Sequence, residues 1–406
     1  MEQDNLPTVP EATPVPDVSP SAEDTAGSSP APHVPAPPSP AAAIPAAGAN
    51  EDFPGINSVL IGENGLRAGW SILIFAPLYY FFSLAVGTAA ALVVSNFGHG
   101  MPGTGSALAT GIGESVPFLA LLFTAMVVGF IERRNILAYN LQGPHRTRNF
   151  FAGFVAGFTA LSVLVGGLAA GGWLHFGAVT LTGPAILKFA ALWGITFLLV
   201  GCFEEGLFRC YLQFTLTRGI NFWWALGLVA AICVDLLWRT KGNEVWGVYV
   251  IAILGVLPCF ALQWLRAESA GFWQAAWVTS TYFGFIHTSN NGENWIGIFA
   301  AAAIGFVFCV SVKLTGSAWW AIGCHFAWDW AETYFYGTAD SGLPAQGHLL
   351  TTNPTGNVLW SGGSDGPEGS LLVFAVILLL LIALLVLYRR KGQTDLTPSG
   401  VDLQTA

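Results

Sequence analysis

Charge is the scarcest ingredient of this 406-residue chain. Asp, Glu, Lys and Arg make up only 10% of it, while 53% is hydrophobic. Ordinary soluble domains carry about 25% charged residues, so a soluble globular class is excluded, and several uncharged stretches of about 18 or more residues point to membrane spans. Lys and Arg are absent from the first 52 residues, which nevertheless hold eight acids. The net charge of −9 is therefore a property of that tail, and the remainder is nearly neutral. Cysteine is sparse: Cys202, Cys210, Cys233, Cys259, Cys309 and Cys324 lie in apolar runs and form no C-x-x-C pair. Neither a disulfide framework nor a thiolate zinc site is suggested, and the six read as small buried hydrophobes.

Residues 1–53 are dominated by Pro, Ala, Ser and acids. Such a composition buries too little apolar surface to offset ordering entropy, so this tail is expected to be disordered. It begins Met1-Glu2-Gln3-Asp4, with neither a basic n-region nor an apolar h-region. The first span is accordingly expected to act as the targeting signal.

Hydropathy places spans at 69–94, 111–131, 150–173, 188–216, 222–238, 245–265, 272–290, 295–313, 318–336 and 370–388. The expected fold is all-α, a multi-spanning transmembrane bundle of about ten helices with a polar intramembrane cavity. A membrane-embedded domain is expected over 66–390, with its motif core at 187–336. Basic residues orient it. With the N-terminus inside, Arg67, Arg133, Arg134, Arg146, Arg148, Arg218, Arg266, Lys313, Arg389, Arg390 and Lys391 fall on the cytoplasmic side. Lys188, Arg239 and Lys241 disagree, so both termini are expected in the cytoplasm, 392–406 as a short tail. The 337–369 segment, rich in Gly, Pro, Ser, Thr and Asn and lacking Lys or Arg, reads as an extracytoplasmic loop. Trp360 and His348 are its candidates for covering a site. No 20–50-residue repeat is present, which argues against a solenoid or a duplicated transporter.

Against this apolar background stand Glu204-Glu205-x-x-x-Arg209, Phe283-x-x-x-His287 and His325-x-x-x-Asp329. Glu204, Glu205 and Asp329 together represent about 10 kcal/mol of insertion penalty unless paired or wet. Residues four apart share a helical face, so Glu205 and Arg209 read as an ion pair, while Glu204, rotated by about 100°, is left as an unpaired acid suited to general-base work. Phe283 and His287 share a face, as do His325 and Asp329. Two chemistries stay open. Glu204, His287 and His325 have the donor types for a divalent metal such as zinc, although the His-Glu-x-x-His signature is absent. Alternatively, Glu204 and His287 polarise a water without metal, and His325 stabilises the oxyanion formed at a carbonyl.

The ordered trio, each motif in its own apolar helix, resembles the CPBP family of CAAX proteases and bacteriocin-processing or self-immunity proteins, also called Abi. The resemblance spans Leu187 to Tyr336. It implies a helical bundle around a cavity that admits a peptide and water, with Glu204 as catalytic glutamate, Glu205 as second acid, Arg209 as the arginine, and His287 and His325 as the histidines. In the eukaryotic CAAX-processing branch the last polar position is Asn, which with the second histidine resembles an oxyanion hole; this chain has Asp329 there. An ionised Asp cannot donate a hydrogen bond, so Asp329 is expected to orient His325. The loop from Trp360 to Ser370 resembles a segment of some bacterial members, which implies a bacterial inner membrane.

The expected function is intramembrane endopeptidase, acting on a peptide or protein substrate in or near the bilayer, with no nucleic-acid partner. The alternatives are a non-proteolytic scaffold or self-immunity peptide binder, and a proton or metal transporter. Asp235 and Arg239 read as an interfacial ion pair, and Glu332 is expected near the outer surface. Glycines between Ala152 and Gly167 fit close helix packing in lipid.

Overall fold

A computed structural model describes residues 59–62, 65–97, 105–241, 245–290, 292–340 and 346–388. The chain divides into two units, Met1–Asp52 and Phe53–Ala406, and everything below belongs to the second. The acidic tail and the 392–406 segment lie outside the described residues.

Ten helices correspond to the ten apolar segments. They are α1 (Ala68–Phe97), α2 (Ala107–Ile131), α3 (Arg146–Ala170), α4 (Pro184–Gly219), α5 (Phe222–Arg239), α6 (Val245–Trp264), α7 (Ala270–Ile286), α8 (Trp295–Thr315), α9 (319–336) and α10 (Leu372–Tyr388). Seven of them, α1 to α6 and α8, are long and apolar enough to cross a membrane; α7, α10 and the regular α part of α9, Trp319–Trp330, are shorter. Large apolar side chains such as Phe130, Trp238 and Leu387 face outward. An outer surface of this kind suits lipid, where apolar exposure carries no cost.

In lipid, helices associate through close packing and interhelical hydrogen bonds rather than through the hydrophobic effect. The α3–α9 pair illustrates this. A Cβ at Gly153 would lie 2.0 Å from the Trp320 carbonyl oxygen, one at Gly157 would lie 2.2 Å from that of Cys324, and one at Gly323 would lie 2.1 Å from that of Phe150. Only glycine lets the two backbones approach so closely, and the approach fixes the helix that carries His325. Around this seam Leu161, Leu164 and Leu168 of α3 pack with Trp320, Val376 and Leu380.

Both helices that carry acids of the polar centre lose regular α geometry just beyond them. Helix α4 becomes π-helical over Gly206–Leu212, immediately after Glu205, and α9 does so over Ala331–Tyr336, two residues after Asp329. Such widened turns are rare and frequent at functional sites.

The connection after α9 is more than the linker expected of it. Leu350–Pro354 (β2) pairs antiparallel with Leu174–Val179 (β1), with Leu174 opposite Pro354 and Val179 opposite Leu350. Trp360 stacks on Trp173 at 5.1 Å. A two-stranded sheet thus ties residues 350–354 to the strand that follows α3.

Candidate active site

Glu205 and Arg209 are both fully buried, with Arg209 Nε 3.2 Å from Glu205 Oε2 and Nη1 donating to Oε1 at 3.3 Å. The guanidinium lies over the Phe283 ring at 4.2 Å and the Phe308 ring at 5.3 Å. A Cβ at residue 305 would meet Nη2 at 2.4 Å, so Gly305 of α8 makes room for the cation. Aromatic faces and one carboxylate therefore replace the water that a buried guanidinium would otherwise need.

The same carboxylate reaches across the bundle. Glu205 Oε1 is 2.8 Å from His325 Nδ1, joining residues 120 positions apart. A carboxylate paired with Arg accepts only, so Nδ1 carries the hydrogen and donates it to Glu205. That leaves Nε2 toward Glu204 Oε2 at 3.7 Å and Asp329 Oδ2 at 3.4 Å. The orientation expected of Asp329 is thus supplied by Glu205 at Nδ1, with Asp329 on the other nitrogen. Helical spacing within one segment could not reveal this, because the partner lies on another helix. The imidazole is stacked on Phe308 and meets Phe283 edge-on.

His287 caps the C-terminus of α7 and opens a single 3₁₀ turn. Its Nδ1 lies 2.7 Å from the Phe283 carbonyl oxygen, which can only accept, so Nδ1 is protonated and Nε2 is left as the acceptor in the neutral ring. The Phe283 ring meets it edge-on at 4.9 Å. The Phe-x-x-x-His spacing thus works through the Phe283 carbonyl as well as its ring.

Glu204, His287, His325 and Asp329 line one cavity of about 450 Å3. Trp193, Phe197 and Val200 of α4 and Ile304 and Phe308 of α8 form its apolar wall. Further acids missing from the motif reading also reach this wall: Glu114 of α2, and Asp340 and Glu368 from the segment after α9. Trp360 and His348, the expected covering residues, are not among its lining.

Glu332 departs from expectation. Rather than lying near the outer surface, it is fully buried, within the π turn and close to Asp340 and Glu368. One oxygen each of Glu332, Asp340 and Glu368 lie within 4.8 Å of one another. Burial pushes Asp340 up to about 6 against the bond from Thr333, and pushes Glu368 well above the usual carboxylate range, with Asp340 adding to it. Burial likewise lifts Asp365 to about 7, against the bond it accepts from the Asn294 amide. Elsewhere, Asp235 and Arg239 pair at 2.8 Å, half exposed and away from the cavity lining. All six cysteines are free, and all but Cys202 are buried.

Residues 256–331 match the family model of Rce1-like proteins, described as type II CAAX prenyl endopeptidase Rce1-like. The match covers just under a fifth of the chain. It contains His287, His325 and Asp329 and starts beyond Glu204, Glu205 and Arg209. It supports assignment to the CPBP/CAAX protease family and, in general terms, an intramembrane endopeptidase. No curated protein and no solved structure matches the chain.

Proposed function

We propose that this multi-pass membrane protein hydrolyses a peptide bond by a water activated between Glu204 and His287. The carrying observation is the joint placement of Glu204, His287, His325 and Asp329 on one cavity, with each imidazole already held at Nδ1. Glu204 takes the proton of the attacking water. His287, neutral with Nε2 as acceptor, positions that water. His325 in its imidazolium form donates from both nitrogens: Nδ1 to Glu205, and Nε2 to the oxygen that becomes negative as the carbonyl is attacked. Asp329 offsets the imidazolium charge beside Nε2, and Glu204 returns its proton to the leaving amine. Arg209 holds Glu205 in place, acting on the reaction only through His325.

A histidine bonded at Nδ1 to a carboxylate or carbonyl is also how metal-binding imidazoles are oriented. Glu204, His287 and His325 would hold a divalent metal, zinc by donor type, and such an ion would lower the pKa of a bound water to about 7. The site is expected at a bacterial inner membrane, with both termini cytoplasmic as the Lys/Arg distribution supports. Its substrate is a peptide or membrane-associated protein.

The test is cleavage of a peptide library by the full chain in nanodiscs, wild type against Glu204→Ala, with and without chelator. A loss of about 100-fold or more in the variant is expected of a missing general base. Full activity in Glu204→Ala would sink the mechanism, and loss on chelation would assign the metal. Peptide binding without cleavage in the wild type would favour the scaffold reading.

A further inference from the structure

The end of α9 and the segment after it carry a second group of acids, Glu332 and Asp365 buried and Asp340 and Glu368 partly so, which the hydrolytic scheme does not use. Glu332 is fully buried, and neither carboxylate oxygen has a hydrogen-bond partner. Asp340 accepts from the Thr333 hydroxyl at 3.0 Å, and Glu368 accepts from the Trp328 indole N–H at 2.7 Å. Asp365, 1% exposed, accepts the Asn294 amide at one oxygen and has no partner at the other. Residues 337–371 contain no Lys or Arg, and no ion pair joins these four acids to a cation among the described residues.

The three oxygens of Glu332, Asp340 and Glu368 lie within 4.8 Å of one another. Oxygens sharing one Ca2+ at about 2.3–2.6 Å are at most about 5 Å apart, so the three carboxylates can meet a single ion. The set is all oxygen, which selects a hard cation over zinc or copper. Three carboxylates supply about three to six of the six to eight oxygens that Ca2+ takes, leaving positions for carbonyls and water.

The chain is built to bring these acids together. Gly366 has φ +108°, and a Cβ there would lie 2.2 Å from the Ala339 carbonyl oxygen and 3.3 Å from Glu332 Oε1. Glycine thus lets the arm before Glu368 touch the arm before Asp340, directly over Glu332.

We propose that Glu332, Asp340 and Glu368 form a Ca2+ site that clamps the 337–371 segment to α9 at the wall of the cavity. An unpartnered buried carboxylate aimed at two others is relieved by a cation from outside, since no ion pair among the described residues supplies one. The ion ties the covering segment to the helix that carries His325. This reading is independent of whether the cavity cleaves peptides.

The full chain in nanodiscs, stripped with chelator, is titrated with Tb3+ and then Ca2+. Excitation of Trp328 sensitises bound Tb3+, because its indole touches Glu368. Saturable emission displaced by Ca2+ is expected, together with a Ca2+-dependent rise in Tm. Asp340→Asn and Glu332→Gln should each weaken Ca2+ by at least tenfold, and Asp235→Asn, in an exposed ion pair, should not. Trp328→Phe should lose the emission yet keep the Ca2+-dependent Tm rise. Should Glu332→Gln fail to fold, the partly exposed Asp340→Asn decides alone. Absence of saturable binding in the folded wild type, or unchanged affinity in Asp340→Asn, overturns the proposal and leaves these carboxylates sharing protons.

Discussion

Two groups of buried charge meet along one cavity wall, and they are balanced differently. Around His325, the acids Glu204, Glu205 and Asp329 face Arg209 and two imidazoles, and the charges are held within the protein. Around Glu332, four acids receive an indole N–H, a hydroxyl and a backbone amide, but no ion pair with a cation among the described residues. The first arrangement keeps a reactive constellation in place with nothing bound. The second is completed only by something from outside. Buried charge costs several kcal/mol per ion unless paired, so each group must find its counterion, and the two find it in different places.

The comparison breaks most severely at Arg209. Arg209→Met leaves Glu205 buried without its cation and is expected to cost about 3–5 kcal/mol, read as a lowered unfolding midpoint in detergent. Unchanged stability would mean that Glu205 is balanced by His325 alone. A smaller effect is expected where the frame rather than the charge is altered. Gly157→Ala puts a methyl 2.2 Å from the Cys324 carbonyl oxygen, next to His325, and should cost about 1–3 kcal/mol as overpacking. Cleavage should fall with it, by about tenfold for each 1.4 kcal/mol by which displacement of His325 raises the barrier. Loss of stability with full turnover would separate the α3–α9 seam from the chemistry.

The smallest effect sharpens the contrast from the other side. Asp365→Asn retains an acceptor for the Asn294 amide and removes one charge from the unbalanced group. Its stability in chelator should hold or rise by up to about 1 kcal/mol, in contrast to Arg209→Met. A loss of several kcal/mol would show that Asp365 is already neutralised, and that the two groups are alike.

Much of the first group was legible before any fold was known. Glu204, Arg209, His287, His325 and Asp329 stand out because charge in an apolar helix is costly and i, i+4 spacing reports a shared face. The bond from Glu205 to His325 was not legible, because it joins two helices 120 residues apart and periodicity describes one helix at a time. Glu332 was misplaced for a related reason. Lying one turn beyond Asp329 toward the end of its helix, it reads as reaching the outer surface, whereas in the fold it has no exposure. Asp340 and Glu368 sat in a stretch whose Gly, Pro and Ser content suggested a linker, and nothing local announces that Leu350–Pro354 will pair with a strand before α4.

By itself, then, the amino-acid order determined the membrane class, ten apolar segments and the identity of the polar residues within them, because transfer to lipid is additive along the chain. Tertiary structure decided which carboxylate meets which imidazole, where helices widen into π turns, and that Glu332, Asp340 and Glu368 come together. Those outcomes depend on glycine-limited backbone approach and on pairing between distant segments, which no local pattern encodes.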